Sequence, residues 1–299
     1  MAGRSFGRGV SCRRLRGVSR NMIAEDLATL RQEVAAGRVS LPGASQAMGR
    51  VRQALTAEEP DPRVVADMIR QDPGVSAYVI KTANSVAQRG GVDTGTVSGA
   101  LQRLGLNLVG VLVTNFALMQ MVHRIRGPYR ASVLEIYRHS REVAVHCHAL
   151  ARSSARVASE RALLAGLLHD VGKLATLHFA SSHNWLGDDW PRLQALLEEA
   201  HPEVGAALLR EWRFPESVAV AVAEHENWLR PSGDGEADLA DAVIAAQFDL
   251  RRGSEHPMGD LSPQRLPSLE RLGVPPDVPF RDWPAFARHY EQSRSLLAL

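Results

Sequence analysis

The stretch LLAGLLHDVGKLA, residues 163–175, carries most of what can be learned from this chain. Its leucines and alanines show no period-two alternation, and both residue types lose little freedom in a helix. Into this apolar helix it sets His169 and Asp170 side by side, with Gly172 and Lys173 just after. Burying such a pair costs on the order of several kcal/mol unless it is paired or bound to something. Neighbouring residues diverge by one helical step, so both reach one ion only if it sits over the helix edge. The carboxylate then also reaches a second ion.

The flanks are helical too. Gly127-Pro128 marks the clearest internal boundary. Beyond it the spacing predicts a long helix from about Tyr129 to Ala155 and a second from about Ser159 to Phe179. Trp190-Pro191, His201-Pro202 and Phe214-Pro215 each read as a helix start, and Asp238 to Arg252 as a last helix. In the first half a helix begins near Asn21 and ends before Gly37. Asp61-Pro62 and Asp72-Pro73 open two more, because the carboxylate caps free N–H groups and proline fits the first turn. Val97, Ala100, Leu101 and Leu104 form one face, and Leu106 to Val122 reads as a buried helix. From Gly253 to Pro284 seven prolines predict extended or irregular chain. The expected organisation is all-α: a disordered Arg-rich leader over 1–21, with Met22 an alternative start, helical subdomains over 22–127 and 128–252, and a Pro-rich tail over 253–299.

Hydrophobic residues make up 45% of the chain, enough for a sizeable core. The 35 basic and 33 acidic residues nearly cancel. Six arginines precede the first acid, Glu25, so the remainder is slightly acidic and a general nucleic-acid footprint is not expected. Cys12 and Cys147 lie far apart, which argues against a disulfide framework and makes a reducing cytoplasm the default. The longest apolar stretch, Leu106 to Val122, is interrupted by Asn107, Thr114, Asn115 and Gln120, so no membrane span is expected. The leader lacks the apolar core of a secretory signal.

Other candidate ligands accompany His169 and Asp170. Glu135 and His139 stand four apart on one helical face; His201 follows later, and His225 comes after Glu224. Imidazole and carboxylate suit Fe, Mn, Ni or Zn, with no sulfur to suggest a structural zinc site. A bound divalent ion lowers the pKa of water near a phosphate, which Lys173 is placed to pair with. The plainer alternative is a structural pair, hydrogen-bonded to backbone and to His139. Packing roles are expected for His146, His148, Cys147, Trp212 and Trp228, and a helix-terminating cap for Asn84 and Ser85. His256 has no supporting context.

Leu41-Pro42, Gln71-Asp72-Pro73, Ala83-Asn84-Ser85 and Arg103-Leu104-Gly105, in that order, resemble the HDOD family. So do EIYRHSREVA (135–144), residues 163–175, and HPEVGAALLREWRFPESVAVAVAEHE (201–226). The resemblance covers roughly residues 38 to 250. It implies a multi-helical HDOD domain whose second half is similar to HD phosphohydrolases, including cyclic-dinucleotide phosphodiesterases of the HD-GYP type. It further implies a regulatory, non-catalytic signalling module that acts through a protein partner or a nucleotide ligand. Carried over, the family's metal ligands fall on His139, His169, Asp170, His201 and His225, with Glu135 as a further one. The alternative it implies is a metal-dependent phosphohydrolase in which Asp170 and Lys173 act. Three departures stand out: Glu224-His225 replaces a His-His pair, no Gly-Tyr-Pro follows, and Ala246 or Gln247 stands where a final aspartate is expected, with Asp241 and Asp249 off register.

Overall fold

The computed structural model describes residues 20–39, 41, 61–86, 93–183, 189–231 and 235–297, and among these every regular element is helical. The fold is all-α. In chain order the helices are α1 (Arg20–Ala35), α2 (Pro62–Arg70), α3 (Pro73–Val86), α4 (Val97–Arg124), α5 (Arg130–Ser154), α6 (Ser159–Leu168), α7 (Val171–His183), α8 (Trp190–Glu211), α9 (Glu216–Glu224), α10 (Leu239–Arg251), α11 (Pro267–Leu272) and α12 (Pro284–Leu296). The leader over 1–21 lies outside the described residues except for Arg20 and Asn21, which open α1, and so do Cys12 and Pro42.

The first half follows its start signals. Asp61 accepts from Arg63 N, and Asp72 accepts from Gly74 N and Val75 N, so free donors of α2 and α3 are satisfied by carboxylates. Gly105 adopts φ 77°, a left-handed conformation that glycine takes without strain, and divides α4 into the two faces expected on either side of it. By length and composition α4 is apolar enough to cross a membrane, which the interrupted run at Leu106 to Val122 did not suggest; half of its most apolar window is buried in the protein. Asn84 caps no helix in the simple sense. Its amide bonds both the N–H and the carbonyl of Thr94, and Arg103 donates to its oxygen, so it ties α3 to the start of α4.

Three expectations need correction. His201-Pro202 does not start a helix: α8 runs unbroken through Pro202. The helix expected from Ser159 to Phe179 is interrupted, with His169 and Asp170 forming a turn between α6 and α7. The stretch from Gly253 to Pro284 is not simply irregular. It holds 3-10 turns at Pro257–Asp260, Pro263–Arg265 and Phe280–Asp282 and the helix α11, and α12 follows. Met258, Leu269, Leu272, Phe280 and Phe286 bury themselves against Leu150, Ile244 and Phe248, forming a second apolar cluster beside the main core. His148 Nδ1 lies 2.7 Å from Ser293 Oγ, and His146 packs on Phe286 and Tyr290, so both histidines serve the seam between α5 and α12. Cys147 is buried and donates to the Ala242 carbonyl.

Two glycines set how closely the helices around His169 approach. A Cβ on Gly166 would sit 2.7 Å from Ala144 Cα, so α5 and α6 touch backbone to backbone there. A Cβ on Gly172 would sit 2.1 Å from the His201 carbonyl oxygen and 2.7 Å from Gly205 N, so α7 and α8 touch in the same way.

Candidate metal centre

Three histidines of the centre, His169, His201 and His225, are each oriented by a carbonyl of their own helix. His169 and His225 stand at the C-caps of α6 and α9, where the last carbonyls lack helical N–H partners. Their Nδ1 atoms bond Gly166 O at 2.8 Å and Val222 O at 2.7 Å. His201, inside α8, bonds Leu197 O at 2.8 Å in the same fashion. A carbonyl only accepts, so each Nδ1 carries the proton and each neutral ring turns an Nε2 lone pair toward the centre. This is the arrangement in which an outer hydrogen bond fixes the tautomer of a metal-binding imidazole.

The rings lie in sequence, His139 to His169 at 5.3 Å between centroids, His169 to His225 at 5.1 Å, and His225 to His201 at 5.0 Å. Asp170 stands among them. Its Oδ1 lies 3.3 Å from His201 Nε2 and 3.8 Å from His225 Nε2, and its Oδ2 lies 3.4 Å from His169 Nε2. Two three-donor groups result, His139 with His169 and Asp170, and Asp170 with His201 and His225, each with its ligand atoms within 4.8 Å of one another. Asp170 belongs to both. Lys173, one turn into α7, places its ammonium 3.1 Å from Asp170 Oδ1 and hydrogen-bonds Oδ2.

The electrostatics follow from burial. His169, His201 and His225 are fully buried, and Asp170 is 2% exposed. Burial pushes His139 and His225 down to about 4, and His169 well below the usual imidazole range. For Asp170 burial acts in the opposite sense, but Lys173 and then the surrounding histidines prevail and hold the carboxyl well below its usual range. Lys173 is raised: burial lowers it, and Asp170, Glu198 and Glu226 more than offset that. Burial thus favours the neutral form of His139, His169 and His225 beside the Asp170 carboxylate.

Such a donor set fits a divalent cation. His139 Nε2, His169 Nε2 and Asp170 Oδ1 are buried and take part in no hydrogen bond. His201 Nε2 and His225 Nε2 face each other at 3.1 Å. With both Nδ1 atoms protonated, two neutral rings would oppose lone pair to lone pair, so a cation or an extra proton has to sit between them. Either group would hold an ion, His139 with His169 and Asp170 or Asp170 with His201 and His225, and the all-nitrogen and oxygen set suits the first-row divalent metals.

Glu135 is exposed and belongs to neither group. Three other residues enter from outside the sequence-based set. Glu226, next to His225, brings Oε1 to 3.6 Å from His225 Nε2 and 3.7 Å from His201 Nε2, while Trp228 Nε1 donates to its Oε2. His256 packs on Trp228 with the two rings tilted; burial, then the charge of Arg251, push it down to about 4, with Glu226, Lys173 and His139 also acting on it. Arg251, at the end of α10, acts on His139 as well. Where the final aspartate was expected, Gln247 is 2% exposed with Nε2 unpartnered; Asp241 is bound instead by Arg230 and Arg271, and Asp249 accepts from Phe280 N.

Comparison with known proteins bears on the family and the fold. The family model described as HDOD domain matches residues 41–228. The chain is 30% identical over 169 residues to ribonuclease Y of Syntrophotalea carbinolica, spanning 56% of this chain and 28% of that protein. It thus covers about a quarter of the length of the curated relatives it matches. In fold it is similar to a Shewanella amazonensis protein provisionally assigned as a metal-dependent phosphohydrolase, with TM-score 0.75, 24% identity, and 93% and 100% of the two chains covered. It is similar also to an HDOD domain protein of unknown function from Geobacter sulfurreducens, with TM-score 0.65, 21% identity, and 92% and 99% covered. Since the family match alone extends over well more than half of its length, the chain belongs to the HDOD domain family.

Proposed function

We propose that this chain is a signal-relay module that holds a divalent ion in its histidine and aspartate centre and works by contacting another protein. The observation that carries this reading is the burial of the donors: three of the histidines expose nothing and Asp170 exposes 2%. A hydrolytic metal site keeps an open coordination position toward substrate, whereas a closed set of donors suits an ion that braces the fold. The ion would supply positive charge where the lone pairs of His201 and His225 meet. The chain's own residues do the rest: backbone carbonyls orient the rings, and Lys173 balances Asp170.

Elemental analysis of the purified protein, thermal melting with and without a chelator, and a phosphodiester assay test this together. Bound metal, a melting temperature that falls on chelation, and no turnover of bis-p-nitrophenyl phosphate or a cyclic dinucleotide are expected. A second reading, a metal-dependent phosphohydrolase acting on a nucleotide or cyclic dinucleotide, draws on one observation, the sharing of Asp170 by both donor groups. Turnover that disappears in Asp170→Ala would decide for it.

A further inference from the structure

The two donor groups are not equivalent. The group of His139 and His169 includes one carboxylate, Asp170. Beside His201 and His225 the chain also brings up Glu226, a second carboxylate.

Distances support this division. Asp170 Oδ1, His201 Nε2 and His225 Nε2 are 3.1 to 3.8 Å apart, and Glu226 Oε1 forms a similar triangle of 3.1 to 3.7 Å with the same two nitrogens. The centre of either triangle is about 2.0 Å from its corners, the length of a bond from a transition metal to imidazole or carboxylate. The two triangles share the edge between His201 and His225, so both carboxylates flank the same pair of nitrogens. Trp228 holds the other oxygen of Glu226 at 3.1 Å and so aims Oε1 at the histidines.

We infer that the centre takes one divalent ion, bound by Asp170, His201 and His225 with Glu226 as its fourth ligand, and that His139 is not among its ligands. This rests on the metal-binding reading above. The test is titration of the chelator-treated full chain with Co(II), followed by calorimetry and by the visible absorption of the bound ion. One equivalent is expected, with the intense bands of four-coordinate cobalt. Glu226→Gln should weaken binding about tenfold or more and change the spectrum, and Glu226→Asp, which keeps the charge with a shorter reach, should fall between. His139→Ala should still bind one equivalent, within about threefold of the parent affinity. Two equivalents in the parent, dropping to one in His139→Ala, would overturn the inference, as would Glu226→Gln and Glu226→Asp both binding like the parent. If the parent takes up no cobalt, zinc, manganese or iron, the metal-binding reading itself fails, an outcome distinct from the others.

Discussion

Replacing Gly172 by alanine tests whether the contact between α7 and α8 sets the centre. The added Cβ would stand 2.1 Å from the His201 carbonyl oxygen, 2.9 Å from the His201 carbonyl carbon and 2.7 Å from Gly205 N. These are backbone atoms, so no side chain can rotate away, and the helices must part by about 1 Å to reach ordinary contact. Overpacking of this kind costs typically 1–3 kcal/mol, and the collision with main chain puts it at the upper end; the better helix propensity of alanine returns at most about 1 kcal/mol. A net loss of about 2 kcal/mol corresponds to a fall of roughly 3 °C in melting temperature for a chain of this size. The same displacement carries Asp170, two residues before Gly172, away from His201, whose Nε2 is now 3.3 Å from the carboxylate. Metal affinity should therefore fall more steeply than stability, by more than about tenfold. Gly95→Ala, whose Cβ would meet nothing within 4 Å, is the control and should change neither quantity. If Gly172→Ala melts within a degree of the parent and titrates with metal identically, close approach at this glycine does not position the centre.

Asp241 is fully buried and accepts from Arg230, Arg271 and the Asp238 N–H, so Asp241→Asn leaves two arginines facing a neutral amide; a loss of about 3–5 kcal/mol in urea denaturation is expected, and a loss below 1 kcal/mol would show that the network is not needed. Burial holds His148 at about 4, below the imidazole value in an unfolded chain, so the stability tied to its neutral form is complete above about pH 6.5 and is lost as pH falls toward 4. His148→Asn should accordingly flatten the decline in stability between pH 6.5 and 5 by up to about 1.4 kcal/mol per pH unit, and an unchanged slope would remove His148 from that account. Ending the chain after Arg252 strips Leu150, Ile244 and Phe248 of their partners Met258, Leu269, Phe280 and Phe286. Aggregation or loss of a cooperative melt is expected, and a monomer that melts like the full chain would refute the role given to residues 253–297.

Proline shows where the sequence was legible and where it was not. Pro62, Pro73, Pro191 and Pro215 all open helices or stand at their caps, and each was readable because a first-turn proline gives up an N–H that has no helical partner anyway. The same rule holds at Pro267 and Pro284, yet their density among seven prolines read as irregular chain. At Pro202 the rule misleads, because there the proline lies within α8, next to a histidine whose ring already takes the Leu197 carbonyl. The histidines and Asp170 stood out as polar residues in apolar surroundings, and the structure does gather them. Glu226 gave no such signal. It lies beyond the end of α9, in a turn whose direction only the fold defines, while Glu224 on the other side of His225 accepts from Asn227. His256 packs on Trp228, whose indole holds Glu226, a contact carried by no local pattern.

The rings of His169 and His225 have two attachments each, a carbonyl of the last turn of a helix on one side and the shared centre on the other. A change in what the centre holds would therefore act on the last-turn carbonyls of α6 and α9 through these rings. Hydrogen exchange at the amides that follow those turns would register loading from outside the centre, and a partner touching either turn would sense it without reaching the buried donors.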